Sequence, residues 1–373
     1  MYFEKPRILI TGGTGFLGSA VIVSLFRKTQ ARSMLLLVRA RTPQEGLQRI
    51  RESLQRFEVP EALLNSIGEE HILCGDLSDV SAFAMDSRLD EVTHVINSAA
   101  VASFGNNPMI WPVNVDGTFA FAQRMAKAPY LRRFLQIGTA MACGPGHSFP
   151  VYESWDLAPT EEHLVPYTAS KAEIERKIRK ELPSLPFVVA RPSIVVGHTR
   201  LGCKPSGSIF WVFRMALMLE KFTCALNDKI DVVPVDYCAD ALVALALKDE
   251  LAHSLYHISA GLDHSNTFGE IDTALAEGRG IAPVGDRYRQ VSSLEISSLA
   301  HEFEKLIGQC NRRLIVKALR LYGGFAELNY VFDNARLLAE GIPLAPRLTS
   351  YIGLCAKTSE AINIQEQMQW DFK

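Results

Sequence analysis

The chain has 373 residues, of which 48% are hydrophobic and 21% charged, with a formal net charge of -2. That length buries roughly three quarters of an unfolded chain's surface, enough for a substantial core without disulfides or metal. The near-neutral charge supplies no basic field for nucleic acid, and the seven scattered cysteines lack a C-x-x-C pair, which argues against a zinc cluster or a disulfide framework.

In chain order, short apolar runs alternate with helical spacing. Strands are expected at 7–11, 34–38, 71–74, 93–97, 134–138 and 187–191. Between them, Phe16, Leu17, Ala20, Val21 and Leu25 recur every three to four residues, as do Val115, Phe119, Ala122 and Met125. This alternation implies an α/β fold: a Rossmann-type, doubly wound parallel sheet whose ligand sits outside the carboxyl ends of the strands. From about residue 262 the pattern turns mainly helical. The expected organisation is a dinucleotide-binding domain over residues 1–261, with a substrate-side insertion near 200–230, and a smaller helical substrate-binding region over 262–373.

The opening MYFEKPRILI runs straight into the first strand with no signal-peptide pattern. The longest apolar stretch, Ile209 to Leu219, is interrupted by Arg214 and is too short to span a bilayer. A cytoplasmic enzyme without a transmembrane segment is the expectation; nothing in the sequence sets an oligomeric state.

The run Ile10-Thr-Gly-Gly-Thr-Gly-Phe-Leu-Gly18 lies between the first strand and the first helix. Gly12, Gly15 and Gly18 provide a tight turn and close backbone approach, so that a pyrophosphate can rest on the helix N-terminus with Thr14, Phe16 and Leu17 around it. A merely flexible turn is the plain alternative. After the second strand stands Arg39, where an acid would accept hydrogen bonds from a ribose 2'-hydroxyl. A guanidinium instead offers donors to a 2'-phosphate, so NADPH/NADP is expected over NAD. Arg41 either assists or is solvated. Asp76 and Leu77 follow the third strand, positioned to read an adenine edge, unless Asp76 only caps a helix. Ser98, Ala99 and Ala100 end the fourth strand with small residues, suited to cofactor approach or to helix–sheet packing.

Tyr167 and Lys171 stand four apart in YTASK and share one helix face. A phenol of ordinary pKa, about 10, is a poor proton donor-acceptor at neutral pH, and a neighbouring ammonium is expected to lower it. Thr139 closes the fifth strand, where it can donate to a substrate oxygen. Pro192 and Ser193 close the sixth, where the proline can pack beside a nicotinamide.

In this order, TGGTGFLG, GDL, NSAA, NVDGT, GTA, YTASK and RPSIVVG resemble an extended short-chain dehydrogenase/reductase over roughly residues 6–260. The resemblance implies that Thr139, Tyr167 and Lys171 form the catalytic triad, and that Asn114 helps to fix the lysine through the active-site network. LLLVRARTPQEGLQRI, GDLS and VVPVDYCADALVAL are similar to the thioester reductase and fatty acyl-CoA reductase branch, whose members reduce an acyl group on CoA or on a carrier with NADPH. The chain departs from that branch at Asn97, often His there, and at Gly138, often Ser.

The expected partner is therefore a small-molecule or carrier-bound acyl substrate, delivered by CoA or an acyl-carrier protein. Ile209–Leu219 lines an acyl channel or touches lipid, or else is a buried core helix. Arg312, Arg313, Lys317 and Arg320 either dock an acidic carrier protein or CoA phosphates, or form a solvated basic face. Rival readings are a reductase or epimerase of a ketone, aldehyde or nucleotide sugar, and a non-catalytic NADP sensor.

Overall fold

The computed structural model describes residues 7–28, 33–103 and 105–371; residues 1–6, including the expected domain start, lie outside them. Seven parallel strands form the central sheet: β1 (Ile8–Thr11), β2 (Met34–Val38), β3 (Ile72–Cys74), β4 (His94–Asn97), β5 (Arg133–Ile137), β6 (Phe187–Pro192) and an edge strand, Leu255–Ile258. Their order is edge–β6–β5–β4–β1–β2–β3. From β1 the chain winds outward through β2 and β3, then crosses to β4 and winds the other way. The crevice where that order reverses, between the ends of β1 and β4, is where such sheets receive ligands.

Burial follows from the two-residue period of a strand. Ile8 and Ile10 enter one apolar layer with Val21, Leu25 and Leu242, while Leu9 enters the opposite layer with Phe121 and Phe134. Both faces are covered, which is why β1 and β2 are buried throughout and read as unbroken apolar runs. α1 (Phe16–Lys28) and α2 (Pro43–Gln55) cover the first face, with the one-turn α3 (Glu61–Asn65) following. α2 starts where Thr42 accepts the Glu45 N–H and Pro43 occupies the first turn, which needs no proline N–H. α4 (Thr118–Met125) and α5 (Pro166–Glu181) cover the second face.

A third apolar core lies beyond the sheet. α6 (Phe210–Leu219) buries eight of its ten residues, and its one charge, Arg214, donates to the Ser359 and Ile362 carbonyls. α7 (Val235–Leu247) returns to pack on α1. The short α8 (Gly261–His264), α9 (Phe268–Arg279), α10 (Ala300–Ile307), α11 (Arg312–Glu327), α12 (Ala335–Ala339), α13 (Ile352–Thr358) and α14 (Ile364–Asp371) follow. Phe268, Leu319, Tyr322, Ile352 and Met368 close around α6, so the 200–230 segment and the C-terminal helices share one core. Among the described residues no helix is long and apolar enough to cross a membrane.

The edge strand was not among the six expected. Its sequence, LYHI, carries His257 at the centre, a polar residue that breaks the apolar signal. The structure buries that imidazole with Nδ1 at 3.0 Å from the Asp333 carbonyl, and burial pushes its pKa down to about 3, which keeps it neutral.

Candidate active site

The glycine turn after β1 is shaped by contacts that exclude side chains. A Cβ on Gly18 would lie 2.1 Å from the Gly12 carbonyl oxygen, and one on Gly12, whose φ is +71°, would lie 2.7 Å from Ala99 N. Gly15 differs: it is exposed, and its absent Cβ would meet only the Gly12 oxygen, at 3.3 Å. The backbone is therefore bare on its outer side, the cradle a pyrophosphate requires. Ser19 Oγ donates to the Gly13 carbonyl, and Ser53 Oγ of α2 to that of Thr14, fixing the loop from behind. Phe16 and Leu17 pack their side chains inward, Phe16 stacking on Phe57, so their contribution to a ligand is the N–H groups of the first helical turn. These residues fit a dinucleotide.

Around this turn, Thr11 Oγ1 accepts from Ala99 N and donates at 2.5 Å to Asn97 Oδ1, whose amide donates to Gln136. Asn97 is thus part of a polar chain buried across β1, β4 and β5. Ser98, Ala99 and Ala100 remain half-buried beside the turn.

Arg39 is 71% exposed at the end of β2, and its Nε lies 3.5 Å from Asp76 Oδ2. Asp76 neither caps a helix nor faces solvent freely: Oδ1 accepts the Ser78 N–H at 2.7 Å. Leu77 turns its side chain into the core. The guanidinium of Arg49 donates to the Arg39 carbonyl, bringing a second cation to the same rim. Arg41 is exposed, its N–H held by Glu45.

Thr139 sits at the carboxyl edge beyond β5, where its hydroxyl accepts the Met141 N–H at 3.3 Å. That bond uses a lone pair and leaves the hydroxyl proton free to donate elsewhere. Tyr167 and Lys171 both lie on α5, with Lys171 Nζ 5.9 Å from the tyrosine ring centre and donating to the Ile137 carbonyl at 2.8 Å. Burial pushes the lysine pKa down to about 8, opposed by the Glu175 carboxylate, and pushes the tyrosine up to about 12. This corrects the expectation of a lowered phenol pKa. The ammonium is directed at a β5 carbonyl, and its charge does not offset the loss of water around the phenol.

Asn114 is 2% exposed in a π-helical turn, Pro112–Gly117. Its amide donates to Ser170 Oγ and to the Val101 carbonyl, and its oxygen accepts the Val101 N–H. It touches the neighbour of Lys171 and not the lysine. Pro192 is buried as the last residue of β6, and Ser193 follows, its N–H bonded to the Ile258 carbonyl.

Sequence reasoning missed the support beneath this edge. Glu175, one turn beyond Lys171, forms a fully buried ion pair with Arg191 of β6 at 2.6 Å, and Arg191 also donates to the Ser154 carbonyl. The pair explains Gly138, because a Cβ there would come within 2.4 Å of Glu175 Oε1. The ends of β5 and β6 and helix α5 are locked by one contact. The available signal was the four-residue step from Lys171 to Glu175 on one helix face.

Residues 10–242 match the male sterility protein family. The chain is 27% identical over 288 residues to the fatty acyl-CoA reductase wat of Drosophila melanogaster, covering 66% of this chain and 55% of the fly protein. It is 26% identical over 306 residues to the aldehyde reductase lnaA of Aspergillus flavus, covering 77% of this chain and 29% of the fungal one. It therefore spans about half the length of the first relative and less of the second. Among solved structures, the terminal R domain from the myxalamid PKS-NRPS biosynthetic pathway superposes with a TM-score of 0.77 at 20% identity, covering 96% of this chain and 92% of that one. That likeness concerns the fold.

Proposed function

Because the chain belongs to the male sterility protein family, a branch of the extended short-chain dehydrogenases/reductases, we propose that it reduces an acyl thioester with NADPH to an aldehyde or alcohol. The observation that carries this reading is that Thr139 follows β5 at the carboxyl edge of the sheet, the edge that also bears the bare glycine turn, while Lys171, on one helix with Tyr167, reaches the Ile137 carbonyl of the same strand. Residues 262–371 then form the substrate side.

The glycine turn, the small residues 98–100 and Pro192–Ser193 would hold the dinucleotide, with Asp76 and Leu77 near its adenine. Arg39 favours NADPH, since its exposed guanidinium offers donors to a 2'-phosphate. The reduced nicotinamide supplies a hydride. Thr139 donates a hydrogen bond to the thioester carbonyl oxygen and so favours charge developing on that atom. Tyr167, held protonated by burial, delivers its proton to the same oxygen. Lys171, charged at neutral pH with a pKa of about 8, stabilises the phenolate left behind and lies within reach of a ribose. Asn114 holds α5 in register through Ser170. The resulting hemithioacetal releases its thiol as the carbonyl re-forms, giving the aldehyde. A second reduction of that aldehyde gives the alcohol.

CoA or an acyl-carrier protein would deliver the acyl group. The exposed face of α11 supports this: Arg313, Lys317 and Arg320 line an open groove with Val316 and Leu321, while Arg312 at its end pairs with Glu304. Such a mixed surface suits the phosphates and pantetheine of either carrier. The free cysteines suit a reducing compartment, in keeping with a cytoplasmic enzyme. The test is NADPH oxidation with a panel of acyl-CoAs, acyl-carriers, aldehydes, ketones and nucleotide sugars. Turnover of thioesters supports the reading, and turnover confined to ketones or sugars overturns it.

A further inference from the structure

Thr11, Asn97 and Gln136 stand opposite one another at the carboxyl ends of β1, β4 and β5, in the last register pair of each strand pairing. Alternation along the strands turns all three side chains to the face of Leu9, Val95 and Phe134, the layer covered by α4 and α5. Thr11 and Asn97 are 0% exposed and Gln136 is 1% exposed, so their polar atoms need partners within the protein.

Their hydrogen bonds run in one direction, and the direction is forced. The Ala99 N–H, which lies against Gly12 of the glycine turn, donates to Thr11 Oγ1 at 2.9 Å. The threonine proton is thereby sent to Asn97 Oδ1. With its oxygen taken, Asn97 presents Nδ2 to Gln136 Oε1 at 2.8 Å, and Gln136 has only its own N–H groups to turn onward. Gln136 Nε2 donates to the Ile137 carbonyl at 3.2 Å, the same oxygen that accepts Lys171 Nζ at 2.8 Å. A chain of oriented dipoles thus joins the cofactor turn to the ammonium, and its positive end shares the lysine's acceptor. On α5 the ammonium has Tyr167 and Glu175 as neighbours, the latter paired with Arg191 of β6; on β5 its neighbour is the uncharged Gln136.

We propose that Gln136 is a positioning residue for Lys171, oriented from the glycine turn through Thr11 and Asn97. By sharing the Ile137 carbonyl it keeps the ammonium from settling fully on that oxygen and leaves its other N–H groups to a phenolate and a ribose. The assignment rests on the thioester reading only for the work that Lys171 does; the hydrogen-bonded chain stands on its own geometry. Without the Gln136 donor the carbonyl holds Lys171 alone, which favours the charged lysine and draws it back from the site. Gln136→Met should lower kcat about tenfold to a hundredfold and leave the thioester KM within about twofold. The fall in kcat/KM, placed at about pH 8 by Lys171, should move up by about half a unit to one unit. Asn97 makes no contact with Lys171, yet Asn97→Leu should act in the same way: Gln136 Oε1 loses its donor and turns to the ammonium instead.

The test follows kcat/KM and the NADPH dissociation constant, the latter by fluorescence titration, on either side of pH 8 in the wild type and both variants. The denaturation midpoint is taken alongside, so that each value refers to folded protein. NADPH affinity should weaken as the pH rises through about 8 in the wild type and at a higher pH in both variants. Inflections that stay in place, or a shift in Gln136→Met with none in Asn97→Leu, overturns the proposal. If thioesters are turned over and the inflections do not move, the Gln136 assignment falls and the thioester reading stands. If no thioester is reduced but the NADPH-binding inflection moves in both variants, the thioester reading falls and the Gln136 assignment stands.

Discussion

At the glycine turn, a single added carbon on Gly18 would strike the Gly12 oxygen at 2.1 Å; between α6 and α11 the side chains of Val212, Phe213, Phe325 and Ala326 line a small apolar cavity. The sheet edge is a set of fixed positions, tied by backbone hydrogen bonds and by the buried Glu175–Arg191 pair. The helical cap is a volume bounded by apolar side chains. Substitutions at the edge should act nearly all-or-none, whereas those in the cap should act by degrees and should distinguish one substrate from another.

The largest effect is expected at Tyr167. Tyr167→Phe removes the only atom assigned to deliver a proton to the carbonyl oxygen, so kcat should fall about a hundredfold to ten-thousandfold. NADPH affinity, measured by fluorescence titration, should stay within a few-fold. Loss of binding instead would assign the tyrosine to the cofactor site alone. Glu175→Gln leaves Arg191 buried without its counter-charge and should destabilise the fold by about 3–5 kcal/mol, read as a lowered denaturation midpoint.

Arg39→Ala should raise the KM for NADPH about tenfold to a hundredfold, the loss of a charge-assisted contact, and leave the KM for NADH unchanged. A wild type that uses both cofactors equally would remove the basis for NADPH. The pH profile gives an intermediate effect with a defined sign. Lys171 is charged below its pKa of about 8 and neutral above it, so kcat/KM should decline as pH rises through about 8. Because the unfolded lysine titrates near 10.4, the folded protein loses this proton first between those values, and the fold gains stability over the same interval. Activity that climbs steadily to pH 10 would contradict a charged Lys171.

The smallest effect belongs to the exposed groove. Lys317→Glu with Arg320→Glu should raise KM for acyl-CoA about threefold to tenfold, less at high salt, and leave KM for a free aldehyde unaltered. An equal change for both substrates would indicate a disturbed fold rather than a lost phosphate contact.

The same division separates what could be read from the sequence from what could not. The six strands were legible because a parallel sheet buried on both faces leaves unbroken apolar runs. The turn at Gly12–Gly18 and the Tyr167–Lys171 spacing were legible because each is set within a few residues by strand or helix geometry. The edge strand was hidden by His257, whose burial depends on Asp333 far along the chain. The Glu175–Arg191 pair and the cavity depend on elements meeting in space, as does the pKa of Tyr167. There the helix spacing indicated an ammonium nearby, but the direction of the shift was set by burial, which spacing does not record. For Ile209–Leu219 the core-helix reading describes α6, which buries eight of its ten residues.

The most direct measurement is the product of decanoyl-CoA and NADPH incubated with the wild-type protein, followed by NADPH absorbance and by mass spectrometry of the organic phase. The account predicts NADPH consumption with release of CoA and formation of decanal or decanol, abolished in Tyr167→Phe. NADPH left unconsumed with every thioester supplied, on CoA or on a carrier, while a ketone or a nucleotide sugar is turned over, would contradict it.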